Sequence, residues 1–256
     1  MSKNSNDIVE WEMTSFNEFI ENRLTRGSID WRRCYFRGHS NSNWHLTPGL
    51  LRYNKYPREC NSWIEFEDLL LLKFKKSGYP LIDHKPSNKL GWLAIAQHNG
   101  LPTRLLDWSK SPLHALFFSV ENLEHETDFA VWGFYPDVSI SETEEKVDLY
   151  RLDKVCIYQP FHLDTKIAAQ QGAFSVHPLI EDFQSDSYNE NIVKESGRLF
   201  KFIFNKKLRS TIKNDLDLMG INYFSLFPNL NGLAMNIKWE ISMASSKGFY
   251  YRSDMR

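Results

Sequence analysis

The sequence lacks several features that would assign it to a function class directly. Its 256 residues include only three cysteines, which stand far apart with no CxxC pair, so neither a disulfide framework nor a zinc site is indicated. No window reaches the roughly 18 apolar residues of a membrane span, and residues 1–10 are polar, without the apolar core of a signal peptide. A P-loop, a G-x-G-x-x-G turn and a nucleophile elbow are also missing, which argues against NTPase, Rossmann and serine-hydrolase sites. We therefore expect a cytoplasmic protein with unpaired thiols.

Charge of one sign is not in excess either. The formal net charge is −1 and the isoelectric point is about 6.7, so the overall charge does not indicate electrostatic binding to nucleic acid. The length and the 42% hydrophobic content fit one domain with a sizeable core, which we expect to span residues 1–256 with a flexible 1–10. The basic cluster Lys206, Lys207, Arg209 and Lys213 is interpreted as a solvated helix face or, alternatively, a nucleic-acid contact strip. Two acidic stretches, 121–128 and 142–148, are interpreted as solvated loops.

Helical and strand patterns are mixed without regular alternation, which predicts an α+β domain. Helices are predicted over 15–27, 61–76, 87–97, from Ser111 onward, over 208–219 and over 228–239. Strands are predicted over 33–37, where Gly38 breaks the first one, and over 129–135, 155–158, 173–177, 199–204 and 221–227.

The most informative stretch is the polar segment 97–112, QHNGLPTRLLDWSKSP. It lies between two apolar runs, 90–96 and 113–118, which a surface loop would not need. Buried polar groups are costly unless they are paired. The segment is therefore either an internal hydrogen-bond network or the wall of a site.

Four motifs together resemble the FRG domain family, which is named for its (F/Y)RG motif. They are Phe36-Arg37-Gly38, the block 97–109, the stretch 169–174 and the stretch 226–233, and they cover about residues 31–238. This resemblance by itself implies little biochemistry. Similarity to small bacterial effectors with FRG domains implies a toxin or phage-defence role and a neutralising partner protein.

A weaker resemblance is to ADP-ribosyltransferases of the arginine–serine–glutamate type. Phe36-Arg37-Gly38 looks like their first strand, and 108–118 looks like their serine strand and the helix that follows it. The resemblance implies an ADP-ribosyltransferase-like split β core with surrounding helices. It also implies transfer of ADP-ribose from NAD to a macromolecule, with RNA, DNA or protein as the acceptor. The sequence departs from the pattern where the catalytic Glu is expected, because Gln170 or Gln171 stands there.

The resemblance implies roles for individual residues. Arg37 would bind the pyrophosphate, Gly38 would let the backbone approach nicotinamide, and Tyr35 or Trp108 would stack on it. Ser109 or Ser111 would hold the ribose. The expected catalytic residues are Arg37, His98, Asp107 and Gln171. The expected NAD-binding residues are Tyr35, Phe36, Arg37, Gly38, Thr103, Arg104, Trp108 and Ser109. No metal is expected, since His39 and His45 have no partners at ligand spacing.

Structural roles compete with these site roles. Arg37 pairs with Asp107 in one alternative, and Arg104 pairs with Asp107 in another. His98 is alternatively a histidine bonded to a backbone carbonyl, and Gln171 a backbone cap. At the level of function, the alternative is a non-catalytic module that senses a nucleotide or binds a partner; a metal-dependent nuclease is weaker, because the carboxylates lie in presumed loops. Core or helix-face packing is expected of Trp44, Trp63, Trp92 and Trp239.

Overall fold

The computed structural model describes residues 8–21, 29–83, 85–141, 148–160, 172–179 and 193–246. These residues form an α+β fold, as the sequence predicts, built on one curled sheet of eight strands. The strands are β1 (Val9–Met13), β2 (Tyr35–His39), β3 (Leu105–Ser109), β4 (Phe129–Pro136), β5 (Ser139–Ser141), β6 (Cys156–Gln159), β7 (Gly172–Val176) and β8 (Gly197–Phe204). The helices are α1 (Phe16–Glu18), α2 (Trp63–Gly78), α3 (Lys89–His98), α4 (Pro112–Val120), α5 (Arg209–Leu218), α6 (Tyr223–Leu226) and α7 (Leu230–Ser246).

The sheet is nearly divided between its two central strands. Its order is β1-β8-β4-β2-β3-β7-β6-β5, with parallel pairs only at the two ends of the described sheet. β2 pairs with β4 along its whole length, but with β3 at one position, where Phe36 lies opposite Ser109. Beyond that position β2 and β3 diverge. The split separates one half-sheet, β1-β8-β4-β2, from the other, β3-β7-β6-β5.

Local sequence signals set the ends of the helices beside this split. Ser111 caps α4 by accepting a hydrogen bond from the backbone N–H of His114, and Pro112 fits the first helical position. At the end of α3, Gly100 takes a positive φ of 85°. Its N–H bonds to the carbonyl of Gln97, and the N–H of Leu101 bonds to Ala96, which is the Schellman pattern. The polar segment therefore starts at a fixed helix end.

Three of the four buried clusters in the described residues pack on the sheet, and the fourth joins the turn at Leu50 and Leu51 to α2. One packs α1, α4, α5, α6 and α7 on the half-sheet that contains β2, through residues such as Phe36, Leu116 and Phe202. A second packs α2 and α3 against β3, β6 and β7. The third, which includes Tyr35, Trp108 and Trp132, lines the opposite face of β2 and extends across the split. The two half-sheets therefore share a core although their central strands barely pair.

Gly38 sits where α4 crosses β2 at very short range. A Cβ at this position would lie 1.9 Å from the carbonyl oxygen of Ala115 and 2.7 Å from the backbone nitrogen of Ser119. The prediction that Gly38 breaks the strand is wrong, since β2 continues to His39. The glycine is required by the helix backbone packed on it.

A fully buried ion pair fixes the start of β3 to α2. Arg104 donates through Nε and Nη2 to the Glu67 carboxylate at 2.7–3.0 Å, and through Nη1 to the carbonyl of Leu149 at 2.7 Å. Lys89 lies 3.3 Å from the same carboxylate. The predicted pairing of Arg104 with Asp107 is therefore wrong: Arg104, just before β3, turns into the core beneath α2, while Asp107, within β3, is half-exposed.

Several predicted elements are corrected by the structure. Residues 223–226 form the helix α6 instead of the predicted strand. The helix begins here because Asn222 and Ser225 make a reciprocal capping box. Strands β1, β3 and β5 were not among the predicted strands. The expectation that residues 1–10 are flexible is wrong for Val9 and Glu10, because both pair with β8 as part of β1. In the basic cluster, Arg209 and Lys213 are buried and only Lys206 and Lys207 are exposed, so the four residues do not share one solvated helix face. Trp44 is 48% exposed, whereas the other three tryptophans expected in the core are buried.

The described helices include none that is long and apolar enough to cross a membrane. Cys34, Cys60 and Cys156 are buried free thiols, and burial raises the pKa of Cys34 and Cys156 to about 12. Parts of several predictions lie outside the described residues: residues 1–7 of the N-terminal stretch, residues 22–27 of the first helix, residues 142–147 of the second acidic stretch, and residues 169–171 of the third FRG-like motif, with Gln170 and Gln171.

Removing one partner of the buried ion pair is expected to destabilise the protein strongly. Arg104→Met leaves the Glu67 carboxylate buried without its guanidinium, which costs roughly 3–5 kcal/mol in comparable sites. Urea unfolding measures the loss. The control is Arg32→Met, which breaks an exposed pair with Asp30 and should leave the unfolding midpoint unchanged. Equal effects of the two variants would contradict the role assigned to Arg104.

A methyl group at Gly38 is expected to force α4 away from β2. Gly38→Ala should lower the free energy of unfolding by on the order of 2–3 kcal/mol or more, because the contact is with rigid backbone. The matched control is Gly78→Ala at the end of α2, where the nearest atoms to a Cβ lie 3.9 Å away or more. That variant should be neutral or stabilising in thermal unfolding, since alanine favours the helix. A neutral Gly38→Ala would show that α4 is not held against the strand.

Candidate functional site

The split between β2 and β3 opens onto two adjoining hollows. We call the first, of about 490 Å³, the polar hollow; it is lined by Arg37, Gly49, Arg52, Tyr53, Gln97, Gly100, Leu101, Pro102, Leu106 and Asp107. We call the second, of about 360 Å³, the aromatic hollow; it is lined by Phe36, Arg37, Gly38, Gln97, His98, Gly100, Asp107, Trp108, Ser109, Ala115, Phe118 and Phe227. Arg37, Gln97, Gly100 and Asp107 belong to both. Together the hollows form one cleft with a charged junction, and both volumes fall within the usual range for small-molecule sites.

Arg37 occupies the point where the two strands diverge. Its Nη1 donates to the backbone carbonyl oxygen of Asp107 at 2.7 Å, in place of a strand-to-strand backbone bond. The same Nη1 lies 3.8 Å from the Asp107 carboxylate. Burial lowers the pKa of Arg37, although the nearby Asp107 opposes that shift. The guanidinium therefore closes the split from one side and presents a fixed positive charge to both hollows.

Asp107 is held by a chain of hydrogen bonds from the polar segment. Gln97 Nε2 donates to Asp107 Oδ2 at 2.8 Å, and Gln97 Oε1 accepts from Thr103 Oγ1 at 2.8 Å. Thr103 Oγ1 in turn accepts from the backbone N–H of Leu105 at 3.0 Å. Each donor in this chain fixes the orientation of the next group. The carboxylate is thus positioned while remaining half-exposed to the cleft.

His39 holds the other side of Arg37. Arg37 Nε donates to His39 Nε2 at 3.1 Å, so that nitrogen is an acceptor and the ring is neutral. The proton is then on Nδ1, which lies 3.2 Å from the carbonyl oxygen of Trp44. Burial, and after it the charge of Arg37, lowers the pKa of His39 to about 3. A neutral imidazole is required here, since a protonated one would repel the guanidinium.

Two rings of the aromatic hollow come from α4 and from the segment that leads into α7. Phe118 and Phe227 meet edge to face with ring centroids 6.0 Å apart. Asn229 caps the first turn of α7 by accepting from the N–H of Gly232. A Cβ on Gly232 would lie 1.9 Å from the carbonyl oxygen of Phe227, so this glycine lets residue 227 pack on the helix. The stretch 226–233 thereby places one aromatic ring on the hollow.

The structure brings many of the predicted site residues together at the cleft. The predicted residues that line it are Phe36, Arg37, Gly38, His98, Asp107, Trp108 and Ser109. Tyr35, Thr103 and Arg104 are buried and do not line either hollow. The structural alternative for Arg37 agrees with its contact with Asp107, and the side chain also lines both hollows. Among the described residues, no group of three or more His, Cys, Asp or Glu side chains is arranged to hold a metal ion.

The predicted stacking of Trp108 or Tyr35 on a ligand does not agree with where their rings lie. Trp108 is 3% exposed, and its Nε1 donates to Ser175 Oγ at 2.8 Å. Ser175 Oγ lies 2.7 Å from Nε2 of the buried His177, whose pKa burial lowers to about 3. Tyr35 is covered by Lys110, whose Nζ lies 3.6 Å from the ring centroid. Both rings therefore belong mainly to the core.

No individual site role was predicted for six polar or aromatic residues that line or support the cleft: His39, Arg52, Tyr53, Gln97, Phe118 and Phe227. Phe227 stands in the fourth FRG-like motif, and Phe118 stands in the helix that follows the polar segment, so a motif signal was present for both. His39 follows the Phe36-Arg37-Gly38 motif directly, on the same strand face as Arg37. Arg52 and Tyr53 carry no local signal, because only the folding of residues 49–53 against Pro102 brings them to the cleft.

Comparison with family models matches residues 32–128 to the FRG domain. The matched stretch contains Phe36-Arg37-Gly38 and the whole polar segment, so the resemblance to this family is confirmed over that range. It stops just before β4, and Phe227 of the aromatic hollow comes from beyond it. Comparisons with curated proteins and with solved structures gave no match.

The two buried neutral histidines are expected to make stability fall on acidification. An unfolded imidazole binds a proton below about pH 6.5, whereas His39 and His177 stay neutral in the fold down to about pH 3. Stability is therefore full above pH 6.5 and is lost as the pH falls toward 3, by up to about 1.4 kcal/mol per pH unit for each ring. His39→Gln keeps an acceptor for Arg37 but cannot titrate. Urea midpoints at pH 7.5 and 5.0 should differ less for this variant; an undiminished difference would mean that His39 is not held neutral.

Proposed function

We propose that the cleft binds NAD and that the protein transfers ADP-ribose from it to a macromolecule. The observation that carries the proposal is the charged junction, where Arg37 and Asp107 stand between an arginine-lined hollow and a hollow lined by aromatic rings. NAD has the matching order of parts, with a pyrophosphate and a heterocyclic base on either side of a ribose. A guanidinium suits the pyrophosphate, and aromatic rings suit the base.

The proposed reaction breaks the bond between ribose C1′ and the nicotinamide nitrogen. Nicotinamide leaves as a neutral molecule with the bonding electron pair, and an acceptor oxygen or nitrogen bonds to C1′ and gives up its proton. Positive charge develops on the ribose before the acceptor arrives. The Asp107 carboxylate, fixed by Gln97, is the described group best suited to stabilise that charge. His98, which also lines the aromatic hollow, is proposed to accept the proton.

The proposal extends to architecture and biology. The split sheet, with Arg37 at the split and Ser109 before α4, supports an ADP-ribosyltransferase-like core, and we propose that relationship as well. A nucleic-acid acceptor, a role as a toxin or phage-defence effector and a neutralising partner protein belong to the same proposal. Gln171, expected where the family has its catalytic Glu, lies outside the described residues. The assignment of the charge to Asp107 therefore rests on the described cleft.

A non-catalytic nucleotide-binding module is the second candidate. It is favoured by the engagement of the Asp107 carboxylate, which already accepts from Gln97 and lies near Arg37. Such a module would bind NAD in the same cleft and leave the glycosidic bond intact. The two candidates therefore differ in turnover and agree in binding.

Labelled NAD separates these candidates. Purified protein is incubated with biotinylated NAD and a cell extract, which is then divided into protease-treated and nuclease-treated halves. Label that resists protease and is lost to nuclease identifies a nucleic-acid acceptor, and the reverse identifies a protein acceptor. NAD binding without label or released nicotinamide would leave the binding module, and no binding would contradict both candidates.

Asp107→Asn tests the proposed catalytic charge. The variant keeps an oxygen for Gln97 but loses the negative charge, so we expect NAD binding to persist and transfer to fall by about a hundredfold. Asp153→Asn, at an exposed carboxylate that does not line the cleft, is the matched control and should retain full transfer. Arg37→Ala is less informative, because Arg37 also bridges β2 and β3. Unchanged transfer by Asp107→Asn would rule out Asp107 as the source of charge.

A further inference from the structure

Arg52 stands in the polar hollow beside Arg37, although it belongs to a different part of the chain. Both side chains line the same hollow of about 490 Å³. The charge of Arg52 reaches far enough to contribute to the lowered pKa of Arg37 and of His39. Two guanidinium groups that face one solvent-open hollow repel each other, and an anion bound between them would relieve that repulsion.

Arg52 is presented by a rigid segment. Residues 49–52 form a 3-10 turn whose Leu50 and Leu51 are fully buried. The N–H of Leu50 donates to the carbonyl of Thr103 at 3.0 Å, which ties the turn to the polar segment. Gly49 packs against Pro102: a Cβ added to Gly49 would lie 3.3 Å from the Cα of Pro102. The backbone that carries Arg52 is thus anchored to the segment that carries Asp107.

The side chain of Arg52 is partly oriented as well. Its Nε donates to the carbonyl oxygen of Thr47 at 3.0 Å, and the residue is otherwise exposed. Within the described part of the chain, no carboxylate lies within ion-pair distance of Arg52. Guanidinium groups bind phosphate oxygens through paired, charge-assisted hydrogen bonds. One such group would bind one phosphate, and two of them suit a ligand with two linked phosphates.

We propose that Arg52 is the second phosphate-binding residue of the cleft, so that Arg37 and Arg52 together select a diphosphate over a monophosphate. The ligand class is therefore a nucleoside diphosphate or a dinucleotide such as ADP-ribose or NAD. The identity of the nucleoside part rests on the proposed function, whereas the selection of two phosphates rests on the two arginines alone. Arg52 is a specificity residue in this scheme, remote from the bond that breaks.

Titration calorimetry on the full chain tests this with four probes: ADP, AMP, inorganic pyrophosphate and inorganic phosphate. The variants are Arg52→Ala, Arg52→Lys and the control Arg58→Ala, an exposed arginine near Arg52 in sequence that lines neither hollow. The wild type should bind ADP more tightly than AMP. Arg52→Ala should weaken ADP and pyrophosphate binding by about tenfold or more, the usual effect of losing a charge-assisted bond, and AMP binding by less than about twofold. Arg52→Lys should restore part of the loss, and Arg58→Ala should behave as the wild type.

The outcomes separate this inference from the proposed function. Arg52-dependent binding of pyrophosphate without any binding of ADP or AMP supports the diphosphate site and counts against the NAD reaction. Equal weakening of ADP and AMP by Arg52→Ala, or no weakening of either, overturns the inference and leaves the NAD proposal to its own test. The inference is equally overturned when none of the four probes binds the wild type.

Discussion

The structure depends on how the split between β2 and β3 is closed. Where two central strands stop pairing, backbone carbonyls need new partners, because a buried unpaired carbonyl is costly. Arg37 supplies a partner by donating to the Asp107 carbonyl. Its Nε donates to His39, and the Asp107 carboxylate lies near its positive charge. One guanidinium therefore completes the sheet and also gives the cleft its positive charge. Arg37 therefore has a structural role in the sheet and a candidate functional role in the cleft at the same time.

The surroundings of Arg37 are rigid for reasons that lie at some distance from it. α4 is pressed against Gly38, and the third cluster extends across the split, so the two half-sheets cannot separate freely. The Arg104–Glu67 pair anchors the start of β3 to α2, two residues before Leu106 at the wall of the polar hollow. The split is thus held by packed contacts on both sides. This preorganisation favours binding, because little ordering remains for a ligand to induce.

The polar segment is recognisable from the sequence for a physical reason. Polar side chains flanked by apolar runs must be paired or must face a site; Gln97 and Asp107 do both, and the buried Thr103 is paired with Gln97. Predictions that depended on the direction of a side chain were wrong. Arg104 and Asp107 are three residues apart, which suggests a pair on a helix, but on a strand they point to opposite faces. Arg209 and Lys213 look like a solvated face, yet Arg209 donates to the Ser119 carbonyl and Lys213 to the Glu121 carbonyl beneath α4.

What the sequence determined by itself is the α+β class, most helix ends, the motifs around Arg37 and the polar segment that forms the cleft. These follow from local rules of capping, periodicity and the cost of burying polar groups. The tertiary structure alone decided which charges meet. It paired Arg104 with Glu67, buried the Trp108 ring, made His39 the neutral support of Arg37 and brought Arg52 to the same hollow. Such pairings join residues that are distant in sequence, and their energies exist only after the chain has folded, so no local pattern could carry them.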